Sequence, residues 1–452
     1  MENRINNQFV SAGSFAFFGL MALLLWVANG DLFWSAVGIA FALFLVYYFV
    51  LKIGHEIPIR ESIALMACLQ WVVGPYIDFH TAATHYKYHM YVDEATYMAY
   101  AVPGVLALWL GLGWFKLRIT LDDLKQHVMD LLQQHPVLPY WLLGVGLFLP
   151  LLNPVIPSAL LFVTFLLSNL KYVGATYILL SPHKNRWAIY LLVMLFTVSA
   201  SLASGMFHDL LLWGLLTFTF VAKEMKFSLV QKISLFAVGI FLAMTIQAVK
   251  PTYREMIHSK GVKGGPGLFV SLAVKEWQSG TIVSPTGEAD INVRLNQGWI
   301  ISAIMNHVPA KEPYALGSTI YDALYSSFLP RFLDPDKKKA GGQDDFMKYT
   351  GLELGQNTSM GISLAGEGWA NYGYWGGILF LFFWGFFISW FWKKLVDWSH
   401  YYPTLFLWSP ILFLQVVKAE TELVVVLNHL IKASVLVFGL LWFIKRQWGI
   451  RV

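Results

Sequence analysis

The chain has 452 residues, of which 57% are hydrophobic and only 13% charged, with a formal net charge of +5. Soluble domains carry roughly 25% charged residues, so this composition excludes an ordinary cytosolic enzyme, a disordered regulator and a nucleic-acid binder. A single cysteine, Cys68, excludes a disulfide framework and a cysteine-based zinc site.

A membrane span needs about 20 apolar residues. In lipid, a single segment satisfies its own backbone only as a helix. Apolar runs bounded by charges predict about twelve such helices, at 9–28, 32–51, 61–77, 95–115, 138–152, 156–171, 187–204, 208–222, 229–249, 373–392, 403–417 and 422–444. The fifth and sixth meet at Leu149-Pro150-Leu151-Leu152-Asn153-Pro154, where one kinked helix is the alternative. The first run follows Arg4 and lacks a small-residue cleavage site, so it reads as a retained span. The expected fold class is all-α, a polytopic integral membrane protein with about twelve transmembrane helices.

Lys and Arg in short loops set orientation. With the N-terminus in the cytoplasm, the inner segments and their borders hold Arg4, Lys52, Arg60, Lys116, Arg118, Lys125, Lys171, Lys184, Arg186, Lys223, Lys226, Lys232, Lys393, Lys394, Lys445, Arg446 and Arg451. The short outer loops then carry only Lys87 and Lys418. Both termini are therefore expected in the cytoplasm. The chain divides into spans one to nine over 1–249, one large outer loop over 250–365, and spans ten to twelve over 366–452.

The outer loop is too long to be structureless in a compact protein. Residues 266–278 place Leu268, Phe269, Leu272, Ala273 and Trp277 at helical spacing, and 291–308 repeat Ile291, Leu295, Trp299 and Ala303 at steps of four. Residues 319–329 read as a third short helix, while Lys260–Gly267 and Asp334–Asp345 read as mobile connectors. Interfacial helices against the outer mouth of the bundle are expected.

No nucleotide-binding glycine pattern, His-Glu-x-x-His or Gly-x-Ser-x-Gly elbow occurs. His80, His85 and His89 share one outer loop, which suits a metal or, more simply, a solvated interfacial loop. Glu420, Glu422, Asn428, His429 and Lys432 cluster at and within the last span. Ionisable groups there are functional candidates, read either as a proton relay or as a polar lock between helices. Basic residues of the large loop suit an anionic headgroup, because Arg forks match phosphate oxygens. Attraction to anionic lipid or ion pairing within the loop are the plainer readings.

Two strings narrow the choice. The first is Tyr325-Ser-Ser-Phe-Leu-Pro330-Arg331-Phe-Leu-Asp-Pro335-Asp-Lys337-Lys338; the second is Ser363-Leu-Ala-Gly-Glu367-Gly-Trp369-Ala-Asn371-Tyr372-Gly373-Tyr-Trp-Gly376. Together they resemble the Wzy-type polysaccharide repeat-unit polymerases, which include the O-antigen polymerases. Lys250-Pro-Thr-Tyr253-Arg254 is similar to that family's cationic exit from the preceding span, and Arg294 matches a further upstream arginine. One outer turn departs: it reads Ser204-Gly-Met-Phe-His208-Asp209 where family members often have Gly-x-Arg.

The resemblance implies a glycosyltransferase-C-like membrane enzyme in the inner membrane of a bacterium. The implied reaction joins oligosaccharide repeat units carried on undecaprenyl pyrophosphate. The implied partners are these lipid-linked glycans, membrane lipids and a chain-length-regulating membrane protein. Neither metal nor cofactor is required if protein cations neutralise the leaving pyrophosphate. Arg254, Arg294 and Arg331 are the first candidates for that task, with Lys338, His208, Asn371 and Tyr253 as further binding residues. Glu367, then His307, are candidates for general base to the attacking hydroxyl; a structural carboxylate that holds the loop is the other reading of Glu367. An O-antigen ligase-like transferase and a lipid-linked oligosaccharide flippase are the alternatives.

Overall fold

The computed structural model describes residues 13–28, 32–81, 88–115, 117, 119–157, 160–205, 207–279, 295–329, 334, 337–338, 341–355 and 358–452. Among them every named element is helical, and β-type pairing is limited to an isolated bridge between Glu56 and Thr120. Nine of these helices are long and apolar enough to cross a membrane. That is the make-up of a polytopic membrane protein.

In chain order, α1 covers Gly13–Ala28, α2 Phe33–Lys52 and α3 Ile59–His80, the last with a π turn at Leu69–Val73. Helix α4 spans Glu94–Leu112 and the amphipathic α5 spans Leu121–Gln134. Helix α6, Leu138–Phe148, tightens into a 3-10 turn over Leu149–Val155, where Pro150 and Pro154 remove backbone donors. Helices α7, Leu161–Ser168, and α8, Leu170–Leu180, form the next crossing-length unit. The Leu-Pro-Leu-Leu-Asn-Pro string therefore separates two helical units, as the two-helix reading expects.

Helix α9 is Arg186–Ser204, α10 His208–Met225 and α11 Leu229–His258. Helix α10 is not among the nine of crossing character, since its 18 residues include Asp209, Lys223 and Glu224. Helix α11 continues through Pro251, so the expected boundary at 250 falls inside a helix, and Tyr253 and Arg254 ride on its last turns. Among the described residues four short helices follow: α12 at Pro266–Gln278, α13 at Gly298–His307, α14 at Ser318–Phe328 and α15 at Gln343–Thr350. The last begins inside a stretch expected to be a connector. Its first-turn Asp344 and Asp345 suit a helix N-terminus.

Helix α16 runs over Ser363–Ser399. At 1.5 Å per residue it is ~55 Å long, well beyond the ~30 Å hydrocarbon core. Gly373, at φ 64° and ψ −152°, breaks it into a short N-terminal limb and a long apolar one. The expected span at 403–417 breaks into a 3-10 turn at Leu405–Leu407 and α17 at Ser409–Phe413. Pro410 starts the second piece, and both are buried. Irregular backbone of this kind is tolerated in a membrane protein where other helices cover it. Helix α18, Leu423–Trp448, closes the chain.

The centre of the packing is α4 against α16. A Cβ on Gly111 would lie 2.3 Å from the Phe382 carbonyl oxygen, and one on Gly385 2.4 Å from that of Leu108. Two backbones thus touch, as small residues permit between membrane helices. Tyr100 donates to the Ala365 carbonyl at 2.7 Å and Tyr374 to that of Ala99 at 2.9 Å, fixing the N-terminal parts of the same pair.

Candidate functional site

The N-terminal limb of α16 carries the second string, and its polar residues are buried. Glu367 is 2% exposed and Asn371 is fully buried. Asn371 Nδ2 donates to Thr319 Oγ1 at 2.7 Å and to the Glu367 carbonyl at 2.8 Å, while its Oδ1 accepts from Gly317 N at 2.9 Å. Thr319 in turn donates to Glu367 Oε1 at 2.7 Å, and Leu423 N donates to Oε2 at 2.8 Å. The chain of bonds joins the first turn of α14, the N-terminal limb of α16 and the start of α18. Trp369 Nε1 donates to the Val308 carbonyl at 3.0 Å, which adds the end of α13.

Around this chain lie the charges. Lys338 bonds Asp345 at 2.9 and 2.7 Å and reaches Asp322 at 3.5 Å. Burial pulls the Lys338 ammonium down, but the hydrogen bond and charge of Asp345, with Asp322 and Glu367, reverse this and leave it raised. Lys337 donates to the Ser326 and Leu329 carbonyls, capping the C-terminal end of α14. Glu422 is 2% exposed, and its Oε2 accepts from Ile362 N at 3.4 Å. Burial, then the charges of Glu367 and Asp345, push the Glu422 carboxyl up to about 7.

His307 ends α13, half-buried, with its imidazole packed on the Gly351 turn, where a Cβ would come within 2.5 Å of the ring. Tyr253 belongs to a different packing cluster, built by α9, α11 and α12 around Leu202, Phe207, Val249 and Leu272, and Arg254 follows it on α11. The Tyr253 hydroxyl is committed to backbone, donating to the Leu202 carbonyl at 2.8 Å. Arg254 is exposed, and its aliphatic stem packs on Gly205. A cation therefore does stand at the 204–209 turn, supplied by α11. Arg294, Arg331 and the side chain of His208 lie outside the described residues.

Sequence reasoning missed Thr319, Asp345 and the Leu423 N–H as partners of this site. No periodicity marks a threonine at the start of a short helix as the donor to a carboxylate 48 residues away. The histidine loop shows a different use. Among the described residues no group of three His, Cys, Asp or Glu is placed to hold a metal. His80 Nδ1 bonds the Tyr76 carbonyl at 2.9 Å and His89 stacks on Tyr91, with His85 outside the described residues. In the last helix, His429 Nε2 bonds the Ile411 carbonyl at 2.8 Å and Lys432 stands over Phe162 at 5.0 Å. Each ties α18 to a different neighbour, which is the arrangement of a lock.

No family model, curated protein or solved structure matches this chain.

Proposed function

We propose that this chain is a Wzy-type membrane glycosyltransferase that polymerises undecaprenyl-pyrophosphate-linked oligosaccharide repeat units. The observation that carries the reading is the meeting of the two motif strings. Among the described residues of the two strings, Lys337, Lys338, Glu367 and Asn371 all bond to α14 or α15. Two strings that serve one site are expected to share one place in the fold.

In the proposed reaction the bond between the growing glycan's anomeric carbon and its pyrophosphate oxygen breaks. A hydroxyl at the non-reducing end of the incoming unit forms the new glycosidic bond. Its proton passes to a base, and undecaprenyl pyrophosphate leaves with the bonding electrons. Arg254, exposed and without an ion pair among the described residues, is the cation placed to meet the pyrophosphate. Glu367 has both oxygens occupied and its carboxylate closed to solvent. Its role in this reading is to position α14 and the α16 limb. His307, half-buried, is then the base candidate. The enzyme would work at the outer face of a bacterial inner membrane, with both termini in the cytoplasm and a chain-length-regulating membrane protein as partner.

The test is incubation of purified protein with a lipid-pyrophosphate oligosaccharide. A ladder of longer glycans is the expected result. Transfer to another acceptor alone would make the protein ligase-like, and movement across a bilayer without bond formation would make it a flippase; either replaces the proposal.

A further inference from the structure

Glu422 is not used by the glycan-transfer reading, and its surroundings are unusual. It precedes the first turn of α18, and its carboxyl is wedged between two glycines of the outer segment. A Cβ on Gly342 would lie 2.5 Å from Glu422 Oε2, and one on Gly361 would lie 3.0 Å from it. Gly342 has φ +71°, a conformation that other residues adopt at a cost. Gly342, which precedes α15, and Gly361, which precedes α16, thus both pack on this carboxyl.

The charges facing Glu422 can be counted element by element among the described residues. Helix α16 brings Glu367, α15 brings Asp345, and the 337–338 stretch brings Lys338. Asp322 of α14 lies behind Lys338, and Lys418 and Glu420 stand on the connector before Glu422. Three buried carboxyls, Glu367, Glu422 and Asp345, therefore share the half-buried ammonium of Lys338, which Asp345 already chelates, while the buried Lys337 is spent on the Ser326 and Leu329 carbonyls. A buried, unpaired charge is costly enough that such a group takes a proton instead. The donors decide which one. Glu367 has a hydroxyl and a backbone N–H at short distance, Asp345 has Lys338, and Glu422 has only the 3.4 Å contact from Ile362 N. Glu422 Oε1 is buried with no hydrogen-bond partner.

We propose that Glu422 is held as a neutral carboxylic acid and acts as a proton-operated latch, keeping residues 342–361 closed on the N-terminal ends of α16 and α18 in acid and loosening them as pH rises. The sign follows from linkage. An exposed carboxyl titrates at about 4.3, whereas burial, followed by the charges of Glu367 and Asp345, holds the latched one near about 7. Preference for the closed state is therefore full below the exposed value, declines between the two, and is spent above the upper one. This stands apart from the glycan-transfer reading and survives its failure.

The experiment uses the full chain in lipid nanodiscs. Infrared difference spectra should show a protonated-carboxyl stretch that titrates near pH 7 and is lost in Glu422→Gln. Hydrogen exchange of 342–361, corrected for its intrinsic pH dependence, should report at least a tenfold rise in opening from pH 5 to 7, then a plateau. Glu422→Gln, which mimics the neutral acid, should hold the segment closed at both pH values. Should that variant fail to fold, Asp345→Asn provides the second arm. It removes a like charge and frees Lys338, so the infrared midpoint should fall by about one unit, tenfold in proton affinity. A wild-type spectrum without a protonated carboxyl, a band that persists in Glu422→Gln and vanishes in Glu367→Gln, an unmoved midpoint in Asp345→Asn, or pH-independent opening each overturns the latch.

Discussion

Helices α4 and α16 and helix α11 are all apolar enough to cross a membrane, yet they are built on opposite terms. In the first pair, Gly111 and Gly385 bring backbones into contact and tyrosine hydroxyls stitch the N-terminal parts. Over its most apolar stretch α11 is only 17% buried, against 56% for α4 and 39% for α16. Val230, Ile233, Val238 and Leu242 of α11 are all exposed. Hydropathy is the same signal in both places, but in one it pays for contact with protein and in the other for contact with lipid. The lesson is that specificity in this fold comes from small residues and buried polar bonds, because lipid is as apolar as leucine and cannot drive helix pairing by itself.

Four substitutions break or sharpen that contrast. Gly385→Leu, forced against the Leu108 carbonyl, should be the most damaging, costing about 3 kcal/mol or more through overpacking. Size-exclusion chromatography of detergent-solubilised protein should show loss of the monodisperse peak, and a normal peak would refute the contact. Glu367→Ala comes next. It strands the Thr319 hydroxyl and the Leu423 N–H, at about 1–3 kcal/mol for each. A lowered Tm together with lost chain elongation is expected, and an unchanged Tm would show that the network does not hold the outer helices. Arg254→Ala should leave unfolding stability within about 0.5 kcal/mol of wild type, as exposed positions do, while abolishing elongation if Arg254 meets the pyrophosphate. Full-length glycan from this variant would remove Arg254 from the site. Val238→Ala on α11 should be the mildest change, within about 0.5 kcal/mol by thermal unfolding; a loss of several times that would mean that the α11 face is packed against protein.

Much of the helical layout was legible from apolar runs, because backbone satisfaction in lipid leaves so few options. The helix at 266–278 falls where its spacing places it, and that at 319–329 is shifted by a single residue. Reading failed where length and composition conflict with local chemistry. The run at 403–417 is apolar enough but holds Pro403 and Pro410, and it coils instead of forming one helix. The run at 229–249 extends to His258, because Pro251 sits inside a helix long enough to absorb the lost bond. At the site, Glu367, Asn371 and Lys338 were visible as motif letters. Their shared partners were not, since a hydrogen bond between Thr319 and Glu367 depends on how α14 is laid against α16.

The sequence by itself determined that this chain is a helical membrane protein, because a low charge content and repeated 20-residue apolar runs admit no other stable arrangement in lipid. It also singled out two short polar strings beside the last helices. Only the tertiary structure decided that these strings meet, that Arg254 stands apart from them beside a second cluster, and that Glu422 shares its buried space with Glu367 and Asp345. Side-chain chemistry is local and can be read from the chain. Proximity across tens of residues is set by which helices pack, and that choice rests on single glycines and hydrogen bonds too sparse to leave a pattern.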